Sequence, residues 1–83
     1  MTIYEELAVE RGRQEQLKAA DATMSNGAWL AVLGEEFGEV CRALLEVGVD
    51  GAEARDKHGK DLRKELIQVA AVAVAWIEGL DRA

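Results

Sequence analysis

The chain has 83 residues, enough for one small domain but not for two hydrophobic cores. Hydrophobic residues make up 49% and charged residues 31%, a composition that excludes an intrinsically disordered chain. The net charge of −6 argues against binding of a nucleic-acid backbone, and the longest apolar run, Val69–Ile77, is too short to span a bilayer. A single cysteine excludes an internal disulfide. We expect a cytoplasmic protein that does not bind membranes.

Helix-forming residues dominate, proline is absent and no alternating strand pattern occurs, so the predicted fold class is all-α. Thr2 and Glu5 have the spacing of a capping box, which marks the start of the first helix. Ser25 or Asn26 can cap the second. The predicted elements, in chain order, are a helix over residues 3–22, a helix over 27–47, a connector over 48–60 with space for a short helix near 52–57, and a helix over 61–81.

The last helix predicts self-association. Its apolar residues recur at alternating spacings of four and three, as in a coiled-coil seam, and Val69–Ile77 is apolar on every side. Three helices of so short a chain cannot cover such a segment, and burial within one small subunit roughly cancels the entropy of ordering it. We therefore predict a bundle of three to four helices completed by homo-oligomerisation. The seam consists of Leu62, Leu66, Val69, Ala73, Trp76 and Leu80.

Acidic residues cluster on the second helix at Glu35, Glu36 and Glu39. Glu36 and Glu39 lie one turn apart beside the apolar face, where their charges repel each other and resist desolvation. Glu65 and Gln68 flank the seam of the last helix, so antiparallel packing would bring them toward the first group. Such oxygen ligands suit Mg²⁺, with Mn²⁺ as a second choice. The alternative is a solvated acidic face that binds nothing.

A family resemblance rests on two short segments, Glu35-Glu36-Phe37-Gly38-Glu39 and, after 25 intervening residues, Glu65-Leu66-Ile67-Gln68. Their spacing resembles the E-E-x-x-E … E-x-x-D signature of the MazG-like all-α nucleoside triphosphate pyrophosphohydrolases. The resemblance covers roughly residues 27–81, and the first helix matches only in type. It suggests that residues 1–83 form a single MazG-like helical domain.

The resemblance implies a dimer or tetramer that binds Mg²⁺ and hydrolyses a nucleoside triphosphate to the monophosphate and pyrophosphate. By position, Glu36, Glu39, Glu65 and Gln68 would be metal ligands, and Glu35 would orient or deprotonate the attacking water. The chain departs from the family at Gln68, where the family has Asp. Because Gln offers a metal an oxygen but no charge, a degenerate, non-catalytic homologue is an alternative.

The first helix has a face that begins apolar and continues into Arg11, Gln14 and Lys18. These residues can line a pocket opposite the carboxylates and bind phosphate or base; the alternative is that this end of the helix leaves the core. Arg13 lies off that face and is expected to be solvated. Trp29 is expected to pack in the core or an interface, with stacking on a base as the alternative.

A different class of function is also compatible with the sequence. In that interpretation the chain is a helical interaction module, such as an antitoxin-like or regulatory subunit, and its acidic stripe is only solvated. Cys41 lies in the apolar sector of the second helix and is predicted to be a small core residue rather than a nucleophile. No glycine-rich phosphate loop occurs, so phosphate binding would have to work through the metal.

Overall fold

The computed structural model describes residues 1–17, 24–47 and 57–82, and the side chains of all of these except residues 17, 46, 47 and 57–61. The described residues form three helices and no strand, which confirms the all-α class: α1 (Ile3–Leu17), α2 (Asn26–Val47) and α3 (Lys57–Arg82). None of these helices combines the length and apolarity needed to cross a membrane. Lys18, the predicted end of the first helix at residue 22 and most of the predicted connector lie outside the described residues.

The helix starts follow the predicted caps. The backbone N–H of Thr2 donates to Glu5 Oε1 at 2.7 Å and that of Glu5 donates to Thr2 Oγ1 at 3.1 Å, a complete capping box. Hydrogen bonds from Thr2, that of its backbone N–H first and that of its side chain second, lower the pKa of the Glu5 carboxyl. At α2, Ser25 Oγ accepts from the Ala28 N–H at 3.1 Å, so Ser25 is the cap.

The start of α3 differs from the prediction. The helix begins at Lys57 and runs through Gly59, so the last four residues of the predicted connector are helical. Glycine in a helix interior costs only about 1 kcal/mol relative to alanine, which a long, packed helix can absorb. A single glycine was therefore a poor marker of the boundary.

Helix α3 is central, because both α1 and α2 pack against it, while α1 and α2 make no backbone contact in the part of the chain described. Helices α2 and α3 run antiparallel, because only nine residues separate Val47 from Lys57 and the start of α2 lies at Trp76 of α3. Near the start of α2 the Trp76 indole N–H donates to Asn26 Oδ1 at 2.9 Å, and a Cβ on Gly79 would lie 3.6 Å from Trp29 Nε1. Both tryptophans therefore lie at one end of the α2–α3 pair.

The core between the helices is small. Val72 is only 1% exposed and is the largest side chain among the described residues to be fully enclosed. All the buried apolar residues are small: Val40, Ala43, Ala71, Val72 and Ala75.

Helices α2 and α3 each expose a row of large apolar side chains in the single chain. Counting about 100° per residue from the buried positions places both rows on one side of the α2–α3 pair, away from α1. Cys41 lies on this side and is exposed, so the prediction of a buried Cys41 is wrong for the isolated chain: the apolar sector of α2 is wider than the strip that α3 covers. We call the following residues the apolar face: Leu30, Phe37, Cys41, Leu45, Leu66, Ile77 and Leu80.

Helix α1 lies across α3, so its two edges meet different parts of that helix. One edge carries Glu6, whose Oε2 lies 2.7 Å from Arg63 Nη2, an ion pair that is not aligned as a hydrogen bond. The other edge carries Arg11, which donates to Glu78 near the C-terminal end of α3. Two open recesses result, one lined by Met1, Glu6, Val9, Glu10, Arg63, Lys64 and Ile67 and the other by Tyr4, Leu7, Ala8, Arg11, Gly12, Glu15, Val74, Glu78, Asp81 and Arg82.

Candidate functional site

The antiparallel register of α2 and α3 brings the two acidic motifs to the same level. The pairs Asn26–Trp76 and Trp29–Gly79 restrict this register to a range of six positions. Since both helices rise by about 1.5 Å per residue, position 36 lies opposite residues 66–72 and position 39 opposite residues 63–69. The predicted convergence of the motifs along the helix axes is therefore compatible with the packing.

The four predicted acidic residues differ in exposure. Glu35 and Glu39 are exposed, whereas Glu36 and Glu65 are half-buried. The Oε2 atom of Glu65 is buried and has no hydrogen-bond partner among the described residues. A buried carboxylate oxygen without a donor loses its hydration without replacement, which costs about 1–3 kcal/mol or more. Among the acids of the two motifs, Glu65 is thus the one that a positively charged partner would stabilise most.

The C-terminal half of α1 adds a polar cluster at this level. Gln14 is only 6% exposed, and its Nε2 donates to the backbone carbonyl of Gln68 at 3.2 Å. One turn earlier, the single N–H of Arg13 Nε is shared between Glu10 Oε1 and Oε2, at 2.9 and 3.1 Å, and Arg13 Nη2 also donates to Glu10 Oε2. Gln14, predicted to bind substrate, and Gln68, predicted to bind metal, are therefore brought into contact. We call Glu10, Arg13, Gln14 and Lys64 the polar junction.

Electrostatics connect the polar junction to the acidic motif of α2. Hydrogen bonds from Arg13 lower the pKa of the Glu10 carboxyl, with smaller contributions from Gln14 and the positive charge of Lys64. The bond to Glu10 is also the main cause of a raised Arg13 pKa, and the charge of Glu36 adds to it. The guanidinium of Arg13 therefore lies within electrostatic reach of Glu36. Arg13 is exposed, as predicted, but it is also held by Glu10, an interaction that the sequence analysis did not include.

The other predicted substrate-binding residues lie elsewhere. Arg11 Nε and Nη2 donate to Glu78 Oε1 at 3.1 and 2.6 Å, so its charge is compensated on the opposite edge of α1, beside a recess of about 770 Å³. Trp29 is half-buried against α3 near Gly79, the packing role that the sequence favoured. Lys18 lies outside the described residues.

A complete metal-ligand set is not assembled in the described part of the chain. No group of three or more His, Cys, Asp or Glu side chains there is arranged to hold a metal ion. Glu36, Glu39 and Glu65 share a level of the bundle but form no such group, so ligation would need movement of their side chains. Carboxylates on exposed or half-exposed helix positions have the rotamer freedom for that movement.

Sequence reasoning missed Glu10, Arg13 and Lys64. The spacing of Glu10 and Arg13, three residues apart, is a signal for an ion pair on a helix, but such pairs are common on solvated faces. Only the position of α1 on α3 shows that this pair lies at the level of the acidic motifs.

Comparisons of the chain with protein-family models, with curated proteins and with solved structures find no match. The features of this chain that bear on its function are the spacing of the acidic motifs, their common level in the bundle and the polar junction beside them.

Proposed function

We propose that the chain is a cytoplasmic, Mg²⁺-dependent nucleotide pyrophosphohydrolase, with Mn²⁺ as a substitute metal, that converts a nucleoside triphosphate to the monophosphate and pyrophosphate. Such an activity would remove unwanted nucleotides from the cellular pool. In this proposal Glu36, Glu39 and Glu65 bind the metal with Gln68, and Glu35 orients or deprotonates the attacking water. The resemblance of the two motifs to those of MazG-like enzymes supports it.

The observation that carries the proposal is the buried Oε2 of Glu65, which has no hydrogen-bond partner in the described chain and lies on α3 at the level of the α2 motif. A divalent cation at this place would offset the desolvation of that oxygen and the repulsion between Glu36 and Glu39. When bound, the metal supplies the positive charge that stabilises the phosphate oxygens during attack at the α-phosphorus. Glu35, being exposed, has room to hold a water molecule on the solvent side.

The first test is metal-linked stability. Wild-type protein should melt at a higher temperature in Mg²⁺ or Mn²⁺ than in chelator, because a ligand that binds only the folded state stabilises it. Glu65→Gln should abolish this shift and should raise the melting temperature in chelator, since it removes an uncompensated charge. Glu39→Ala should also lose the shift.

Glu15→Gln is the matched control for these variants, because its side chain is 70% exposed on the far edge of α1. It should keep the full metal shift. An equal metal shift in wild type and Glu65→Gln would contradict the proposed ligand set.

The second test identifies the bond that is cleaved. A panel of nucleoside triphosphates with Mg²⁺ should yield monophosphate and pyrophosphate. Glu36→Gln and Glu39→Gln should each abolish turnover while the chain remains folded, because they relieve like-charge repulsion on one helix face. Release of orthophosphate and a diphosphate would place the cleavage at a different bond and reject the assignment.

Residue 68, where the family has Asp, gives a third test, in which opposite effects are expected with and without metal. Gln68→Asp should tighten Mg²⁺ binding and raise activity at limiting metal. In chelator it should lower the melting temperature, because it adds a negative charge near Glu65. Identical behaviour in metal and in chelator would mean that residue 68 does not face the ligands.

We also propose that a second copy of this chain covers the apolar face, so that the bundle is completed by self-association as a dimer or a tetramer. The residues of that face are all exposed in the single chain, so a second copy would bury apolar surface that no helix of the described chain covers. Gly34 and Gly38, beside the apolar face, have open space where their Cβ atoms would lie, which permits close approach of a partner helix.

The exposed apolar face also favours a second candidate function, a non-catalytic helical interaction module or a degenerate nucleotide-binding homologue. In the first case a different protein would cover the face, and the acidic motif would be solvated. The tests separate the candidates: a module would show neither a metal shift nor turnover, and a degenerate homologue would bind metal and nucleotide without turnover.

A further inference from the structure

We propose that Arg13 contacts the phosphates of the substrate and that Glu10 is its positioning residue; this rests on the proposed function. A triphosphate carries about four negative charges, and it must approach a place that already holds several carboxylates. A divalent metal offsets only part of this charge. A basic side chain at the same level is needed, and Arg is the residue best suited to grip phosphate through paired N–H donors.

The position of Arg13 follows from the contact of the next residue with α3 and from the register between α2 and α3. Gln14, the next residue, is buried and donates to the carbonyl of Gln68 at 3.2 Å, which sets Arg13 at the level of the acidic motifs. The α2–α3 register places Glu36 at that same level. Arg11, the residue that sequence favoured, is bound to Glu78 on the other edge of α1 and cannot serve both places.

The polar junction holds Arg13 without enclosing it. The carboxylate of Glu10 is 13% exposed and engages the Nε and Nη2 of Arg13, whereas the Arg13 side chain is 50% exposed. Glu10 thus restricts the guanidinium while leaving much of it open to solvent. Fixing an arginine before the ligand arrives reduces the entropy lost on binding. Lys64, whose charge acts on Glu10, adds positive charge on the α3 side.

The test uses inorganic tripolyphosphate with Mg²⁺ as the probe, measured by calorimetry on the full chain, so that no cleavage of a nucleotide is required. Arg13→Gln should weaken tripolyphosphate binding about tenfold or more, which corresponds to about 1.4 kcal/mol and is typical of a charge-assisted hydrogen bond. The Mg²⁺ shift in melting temperature should persist, because Arg13 is not a metal ligand. Arg13→Lys should recover part of the affinity. Glu10→Gln should weaken binding less than Arg13→Gln.

Arg63→Gln is the matched control. Arg63 is 56% exposed and also pairs with an acid of α1, Glu6, which lies about two turns before Arg13 on that helix. It should lose one ion pair to a carboxylate of α1, as Arg13→Gln does, and keep the affinity for tripolyphosphate. Equal affinities of Arg13→Gln and wild type, equal losses in Arg13→Gln and Arg63→Gln, or no binding by wild type would each overturn the inference.

The outcomes also separate this inference from the proposed function. Binding of tripolyphosphate that depends on Arg13, with no pyrophosphate released from any nucleotide, would reject the hydrolase and keep the phosphate contact. Pyrophosphate release with the same KM in Arg13→Gln and wild type would keep the hydrolase and reject the contact.

Discussion

The two sides of the α2–α3 pair are built on opposite principles. On one side lies the apolar face, with Phe37 59% and Leu45 77% exposed. On the other side α1 crosses α3, and the polar junction includes Gln14, which is buried although it is polar. A stable monomer would have the reverse arrangement, since burial of apolar groups is favourable and burial of polar groups is costly. The difference indicates that this chain places chemistry under α1 and leaves its apolar surface for a partner.

The strongest way to break the comparison is to remove the small core that both sides share. Val72→Asp would bury a charge at a position that is 1% exposed, at a cost on the order of the whole free energy of unfolding of so small a domain. Circular dichroism should show no cooperative thermal transition. Tyr4→Asp, at a position 81% exposed on α1, is the control and should melt like wild type. A normal melt of Val72→Asp would mean that the two sides do not depend on a common core.

A charge on the apolar face tests its role directly. Phe37→Asp should weaken self-association at least about tenfold, because a partner helix would have to bury the new carboxylate. Light scattering at micromolar concentration should report at least a dimer for wild type and a smaller species for the variant. Tyr4→Asp again provides the control, since Tyr4 is exposed away from this face. A wild type that is monomeric throughout would reject the assignment of the face to a second copy.

The contacts of the polar junction predict how the free energy of unfolding changes with pH. The pKa of Glu10 is lowered in the folded chain, so the stability that it contributes is present above its ordinary pKa and is lost as the pH falls through the lowered value. Glu10→Gln should therefore reduce the free energy of unfolding at pH 7 and have little effect at pH 2. Urea titrations across this range measure both. Glu15→Gln is the control, since it keeps the Glu10–Arg13 pair and changes a side chain that is 70% exposed.

The smallest expected effect concerns the start of α1. Thr2→Ala removes the side-chain oxygen that accepts from the Glu5 N–H and should destabilise the chain by about 1 kcal/mol. Because the apolar face lies on α2 and α3, the variant should leave self-association unchanged. Thermal melts and light scattering of the same sample separate the two properties.

Local signals in the sequence predicted local structure well. The all-α class and the caps at Thr2 and Ser25 follow from interactions over three residues, which the sequence displays directly. The start of α3 could not be placed in this way, because the cost of Gly59 competes with the stability of a long helix.

Relations between helices were harder to predict. The apolar sector of α2 is wider than the strip that α3 covers, and no local pattern distinguishes buried Val40 from exposed Cys41. The polar junction likewise depends on the angle at which α1 crosses α3. That angle makes Arg13 part of the candidate site and moves Arg11 away from it, although the two residues are only two positions apart.

Because both tryptophans lie at one end of the α2–α3 pair, their fluorescence reports on only part of this molecule. Trp29 lies beside Gly79 and Trp76 is hydrogen-bonded to Asn26, whereas α1 contains only the exposed Tyr4 as a chromophore. Tryptophan fluorescence should therefore change when α2 separates from α3 and hardly at all when α1 detaches. The far-ultraviolet circular dichroism signal, in contrast, depends on all three helices. If α1 detaches before the pair opens, the two spectroscopic curves will separate along a denaturant axis, and the gap between them will measure how independently α1 is held.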